Sequence, residues 1–291
     1  MTGFDSKVVR CALAVFQKLG MINMAGNEDS FIEITNWEEM PEYYISMGHT
    51  AEEVANRYGV SRADQDAFAV RSHELAEKAI KEGKFKDEIV PVEVIEYYVD
   101  ENNKLQEKKR IFDTDEGVRP GTSVETLGKL RPAFNVKGSV TAGNASQTSD
   151  GAAAVLVMDR EEAEAQGLKP LAKFLGFAVA GVAPEVMGIG PIEAIPKALK
   201  IAGITQDQVD LWEINEAFAS QSIQVVRHLG IDIDKVNVNG GAIALGHPLG
   251  ATGAILTVKL INELKRRGGK YGVVTMCIGG GMGAAGVFEI L

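Results

Sequence analysis

Residues 235–278 read "KVNVNGGAIALGHPLGATGAILTVKLINELKRRGGKYGVVTMCI". The alternation in "KVNVNG" predicts a strand over 235–240. "GGAIALGHPLG" then breaks every periodicity with glycines at 240, 241, 246 and 250. "ATGAILTVKLINELKRRGG" predicts a helix. "YGVVTMCIGG" predicts a strand, and "GAAGVFEIL" after it predicts another. Strand, loop, helix and strand in this order imply an α/β layered fold.

The alternation extends back to Ser139. "AAAVLVMD" (152–159) predicts a buried strand and "REEAEAQG" a short helix capped by Asp159. "PLAKFLGFAVAG" predicts a strand, "PIEAIPKALKIAG" a helix opening on Pro191, "LWEIN" a strand and "EAFASQSIQVVRHLG" a helix. Upstream, "SRADQDAFAVRSHELAEKAIKEG" predicts a helix with a Ser61/Asp64 capping box and an apolar stripe of Phe68, Leu75, Ala76, Ala79 and Ile80. "EIVPVEVIEYYV" and "KLQEKKRIF" predict two strands joined at "DENN". Near the start, "SKVVRCALAVFQKLG" has helical spacing, and "NEDSFIEITNWEEM" has no clear period.

The chain has 291 residues, with 45% hydrophobic and 24% charged residues, the balance of a globular protein. Its formal net charge of −10 argues against nucleic acid as a partner. No apolar run approaches the ~18 residues of a membrane span, and the N-terminus lacks the apolar core of a secretory signal. Cys11 and Cys277 do not make a disulfide framework, so a cytosolic, reducing location is the default. There is no P-loop, Rossmann fingerprint, metal-ligand spacing or Gly-x-Ser-x-Gly elbow.

Five segments carry candidate chemistry. His247, between Gly246 and Pro248, sits where backbone can approach a ligand and where the next helix points its N-terminus, which suits a neutral base. A structural histidine in a tight turn fits the same residues. Cys277 opens "CIGGGMGAAG", whose N–H groups suit a thiolate or an oxyanion, although a small buried hydrophobe is also consistent. Cys11, in an apolar helical run, reads as structural. Asn215 in "NEAFASQ" is either a helix cap or an anchor for a water or carbonyl. "TAGNASQTSDGAAA" is a small-residue turn or a capped short helix. Arg119, Lys129 and Arg131 give a local basic segment that suits a phosphate or a solvated face. A cysteine and histidine on glycine-rich loops point to acyl or proton transfer at a carbonyl compound.

Taken together and in order, "KLRPAF", "GNASQTSDGAAA", "NEAFA", "NVNGGAIALGHPLGATG" and "CIGGGMGAAG" resemble the thiolase family, most nearly the bacterial 3-ketoacyl-CoA thiolases and acetyl-CoA acyltransferases. The resemblance runs from about Pro41 to Leu291. It implies acyl transfer between CoA thioesters in fatty acid metabolism, with coenzyme A or acyl-CoA as substrate, no tightly bound cofactor, no metal and a homo-oligomer. It implies that His247 activates the nucleophile and faces the thioester oxygen. Cys277 would move the proton at the acetyl-CoA methyl carbon. Asn215 would hold a water of one oxyanion hole, and the Gly279 N–H would contribute to the other. CoA would run past Met47, Arg119, Thr126 and Phe134, then along Ala142 and Ser146, with Met187 and Phe218 near the acyl end.

The expected layout is a divergent segment over 1–40, a CoA-covering loop domain over 41–150, a strand–helix remnant of the N-terminal half over 151–170 and a C-terminal domain over 171–291. The expected fold is the C-terminal half of a layered αβαβα thiolase plus its loop domain. The family's Cys-Ser-Ser-Gly or Cys-Gly-Ser-Gly turn, which supplies the nucleophile, is absent, because Cys11 is followed by "ALAV". The expectation is therefore an N-terminally truncated thiolase, impaired alone; the alternative is a non-catalytic CoA-binding or partner module.

Overall fold

The computed structural model describes residues 45–291. The readings made at Cys11 and over 1–40 lie outside the described residues.

Two helices open the described chain: α1 (Met47–Tyr58) and α2 (Arg62–Lys81). Ser61 caps α2 as its spacing predicts, accepting from the Asp64 N–H while the Asp64 carboxylate accepts from the Ser61 N–H. The buried face of α2 differs from the expected stripe. Phe68, Ala76 and Ala79 are buried, Leu75 and Ile80 only half so, and Gln65, Asp66, Ser72 and His73 are buried too. Asp66, Ser72 and the Gln65 amide nitrogen are bonded to neighbouring segments, which makes their burial tolerable, while Gln65 Oε1 has no partner among the described residues.

The hairpin β1 (Val92–Val99) and β2 (Leu105–Phe112) is antiparallel, turning at Asp100–Lys104 as expected. A one-and-a-half-turn helix, α3 (Val124–Gly128), and α4 (Arg160–Ala165), capped by Asp159, follow.

The main sheet has the order β3–β6–β5–β4, with β3 Ala172–Gly181, β4 Leu211–Ile214, β5 Tyr271–Ile278 and β6 Met282–Ile290. β4 and β5 are parallel; the other two pairings are antiparallel. One face packs on α5 (Gly190–Ala202) and α6 (Ala219–Leu229), where Ile192, Ile195, Trp212, Ile214, Val225 and Val273 are buried together. The other packs on α8 (Thr252–Arg267), where Leu256, Leu260 and Leu264 meet Leu211 and Val274. A short α7 (Ala242–Leu245), not expected from the sequence, lies between. Helices thus cover both faces of a mixed sheet, as the alternation implies.

Three expectations are corrected. The predicted strand at 152–159 forms no ladder, and Leu156 and Val157 are 77% and 81% exposed. A strand needs a hydrogen-bonding partner as well as an apolar pattern, and none is present among the described residues. The predicted strand at 235–240 shrinks to one bridge, Trp212 to Val236. Asn237 turns the chain with φ 44°, and its side chain takes the strand's place, accepting from Ile214 N and donating to Ile214 O, each at 2.8 Å. The helix predicted from Glu216 begins at Ala219, because Phe218 is extended as its N-cap.

Candidate active site

β4 and β5 run parallel with Ile214 opposite Thr275, so their C-terminal ends deliver Asn215 and Cys277 to one edge of the sheet. That edge is where open α/β sheets bind ligands. The Asn215 main chain is pinned from both sides. Its N–H donates to Thr275 O at 2.9 Å, and its carbonyl accepts from Gln221 Nε2 at 2.7 Å. Asn215 is not a helix cap, since Phe218 holds that position. Its side chain is buried, with Nδ2 3.3 Å from His247 Nε2 and Oδ1 without a partner.

His247 is half-buried in the turn between α7 and α8. Its other ring nitrogen, Nδ1, lies 2.6 Å from Thr252 Oγ1, in the first turn of α8. Thr252 Oγ1 also donates to Pro248 O at 3.0 Å. Burial lowers the His247 pKa, which favours the neutral ring. A cleft of about 460 Å³ opens beside it, between Ser149–Ala153 and Pro248–Ala251.

The glycines near His247 do less for a ligand than the sequence suggests. A Cβ at Gly241 would overlap the Glu216 carboxylate. Glu216 is buried and is the residue that composition alone did not single out. It accepts from Ser72 Oγ at 2.6 Å, Asn237 Nδ2 at 2.8 Å and Ile243 N at 3.3 Å, tying α2 to the loop that leads to His247. Burial raises its pKa despite those bonds. Gly283 of the second glycine run crosses Gly190 at the start of α5, backbone to backbone. Gly250, Gly279 and Gly280 are the ones that face open space.

Cys277 is half-buried near the end of β5 and is a free thiol. Burial pushes it up to about 11, which favours the protonated thiol. At neutral pH the group carries its proton.

The "GNAS" segment is a loop and not a helix. Asn144 organises it, accepting from Thr141 N at 2.8 Å and donating to Asp66 Oδ1 at 3.0 Å. Buried Glu52 anchors its entry through Ser139 N and Val140 N. The loop docks on the turn that follows Asn215, between β4 and α6. Ser146 N donates to Ala217 O at 2.9 Å, and Ala145 bridges Phe218. Phe134 stacks edge-on against Phe218 at 6.1 Å and packs over Gly48, beside the exposed Met47. Met187 is buried and Ala142 exposed. Arg119 and Thr126 are exposed, with Arg119 N donating to His73 Nδ1 at 3.2 Å. The structure thus brings His247 and Asn215 into contact, and brings Phe134, Ser146 and Phe218 around the GNAS loop. No hydrogen bond joins Arg119 or Thr126 to that group among the described residues.

Among the described residues no cluster of His, Cys, Asp or Glu is arranged to hold a metal ion, and no helix is long and apolar enough to cross a membrane.

Known families agree with this architecture. The thiolase N-terminal domain matches residues 21–161 and the thiolase C-terminal domain matches residues 168–290. The 3-ketoacyl-CoA thiolase of Bacillus subtilis (strain 168) is 69% identical over 253 residues, covering 87% of this chain and 65% of the relative. The peroxisomal 3-ketoacyl-CoA thiolase B of Mus musculus is 56% identical, covering 87% of this chain and 59% of its own length. The crystal structure of the Bacillus anthracis acetyl-CoA acetyltransferase superimposes with a TM-score of 0.80 at 48% identity, covering 85% of this chain and 60% of that one. Human mitochondrial 3-ketoacyl-CoA thiolase does so with a TM-score of 0.77 at 39% identity, covering 93% and 66%. The chain belongs to the thiolase family, and its α/β fold is the family's. It spans less than two thirds of the length of these relatives.

Proposed function

We propose that this chain supplies the CoA-thioester-binding surface and the acid–base groups of a 3-ketoacyl-CoA thiolase site. The reaction is thiolysis of a 3-ketoacyl-CoA by CoA, or condensation of two acetyl-CoA molecules in reverse. The observation that carries this reading is the contact of buried Asn215 with His247 Nε2 at the sheet edge. A neutral His247 would accept the proton of the attacking thiol, and the imidazolium would then offer Nε2–H to the thioester oxygen. Asn215 would hold a water for the same oxyanion, and Gly279 N–H would serve the second. Cys277, protonated at neutral pH, would return a proton to the carbon next to the thioester. CoA would lie along Met47, Arg119, Thr126, Phe134, Ala142 and Ser146, with the acyl end toward Met187 and Phe218. A cytoplasmic setting and a homo-oligomer belong to the same reading.

The only cysteines in the sequence are Cys11 and Cys277, and neither opens a Cys-Ser-Ser-Gly turn. On this reading the chain binds CoA thioesters but lacks the nucleophile that carries the acyl group. That feature favours a second reading, a CoA-binding module without turnover of its own. Calorimetric titration with CoA tests both. Binding weakened by ~1–3 kcal/mol in Arg119→Ala is expected. No binding by the parent chain would remove both readings.

A further inference from the structure

Only one oxygen touches His247 Nδ1 among the hydrogen bonds of the described residues, and only one group touches Nε2. Nδ1 meets Thr252 Oγ1 at 2.6 Å, and Nε2 meets Asn215 Nδ2 at 3.3 Å. An amide nitrogen has protons to give and none to take, so Nε2 must be the acceptor. A neutral imidazole carries one ring proton, and that proton is then on Nδ1. It has an acceptor there, because the single Thr252 hydroxyl proton points to Pro248 O at 3.0 Å and leaves a lone pair free. The chain of bonds runs in one direction: Asn215 to His247, His247 to Thr252, Thr252 to Pro248. Turning the Asn215 amide over would reverse this logic, but it would leave both Nδ2 protons unpartnered in place of one Nδ2 proton and the carbonyl oxygen, and buried orphan N–H groups are the rarer kind.

The support is rigid at each end. Thr252 is 3% exposed in the first turn of α8, where its hydroxyl reaches back to the carbonyl of residue 248. Asn215 is 1% exposed and pinned through its own backbone. The bond from its hydroxyl to Pro248 O selects one of the two χ1 wells open to a helical threonine, so its oxygen stays aimed at the ring.

We propose that Thr252 is a positioning residue that holds His247 as the Nδ1–H tautomer, leaving Nε2 as the proton acceptor toward Asn215. This deepens the reading of His247 as a base, and it rests on that reading only for its catalytic meaning. The tautomer itself is a property of the free chain.

The test uses the full chain with ¹⁵N-labelled histidine. Long-range proton–nitrogen correlation spectra report which ring nitrogen is protonated, and only four histidines need assignment. At a pH where His247 is neutral, the expected result is protonated Nδ1 and bare Nε2. Thr252→Val, close to isosteric, removes the Nδ1 acceptor while Asn215 still faces Nε2, so the Nδ1–H population should fall, and Thr252→Ser should restore it. Nε2–H in the parent chain would overturn the proposal outright, with no variant required. Unchanged Nδ1–H in a folded Thr252→Val would overturn the role of Thr252. These spectra are taken without CoA, so failure here is distinct from failure to bind CoA in the calorimetry above.

Discussion

Asn215 Nδ2 lies 3.3 Å from His247 Nε2, and the asparagine is buried with its backbone fixed to β5. This contact keeps a proton donor against the nitrogen proposed above as the base, which opposes protonation of the ring. Asn215→Asp should reverse the effect, because a carboxylate at the same site favours the imidazolium. The His247 titration midpoint, followed by NMR, should rise by about 1 pH unit or more. An unchanged midpoint would mean that the two side chains do not meet in solution.

Cys277 should alkylate slowly at neutral pH. Its pKa is pushed up to about 11, so the reactive thiolate is scarce at pH 7. In a Cys11→Ser background, the iodoacetamide rate should climb about tenfold per pH unit through pH 9, as expected for a thiol far below its pKa. A plateau near pH 8 would contradict the burial effect.

Gly283→Ala should cost ~1–3 kcal/mol of stability, because its new methyl would meet the backbone of Gly190 and neither segment can retreat from the core of α5. Gly279→Ala faces open space and should change stability little. Urea midpoints of the two variants give the comparison. Equal midpoints would remove the packing role of the second glycine run.

Glu213 on β4 is buried with Oε2 unpartnered, and burial raises its pKa to about 8 even with Lys259 nearby. The folded state therefore holds a proton that the unfolded chain gives up near 4.5. Stability from this group is fully present below pH 4.5. It is lost as pH rises toward 8, at ~1.4 kcal/mol for each pH unit between those two values. The lowered pKa values of His73 and His247 act in the opposite sense, and only below their ordinary 6.5. Glu213→Gln should flatten the loss between pH 6.5 and 8 in denaturant midpoints. An identical pH profile would show that Glu213 is already ionised in the fold.

Much of this was legible in the residues. Apolar spacing located α2, α5, α6, α8 and the strands β3 to β6, because each packs an amphipathic or buried face against its neighbours. His247 and Asn215 were marked by their motifs. Strand pairing was the weak point. "AAAVLVMD" has the pattern of a buried strand, but pattern cannot supply a partner. "KVNVNG" has it too, yet the Asn237 side chain replaces the ladder. Thr252 and Glu216 escaped for a related reason. Glu216 matters through bonds to residues distant in the chain, and Thr252 through a hydroxyl turned back onto the preceding loop, and no apolar period records either. The glycines misled in a different way. Close approach to protein and close approach to ligand demand the same residue.

The most direct test of the account is the intact mass of the chain after incubation with acetoacetyl-CoA. The account predicts an unmodified protein, since on the proposed reading the chain holds a base and a proton-carrying thiol, while its sequence contains no Cys-Ser-Ser-Gly turn. An acyl adduct on Cys11, accompanied by thiolysis that disappears in Cys11→Ala, would contradict it and make Cys11 the nucleophile.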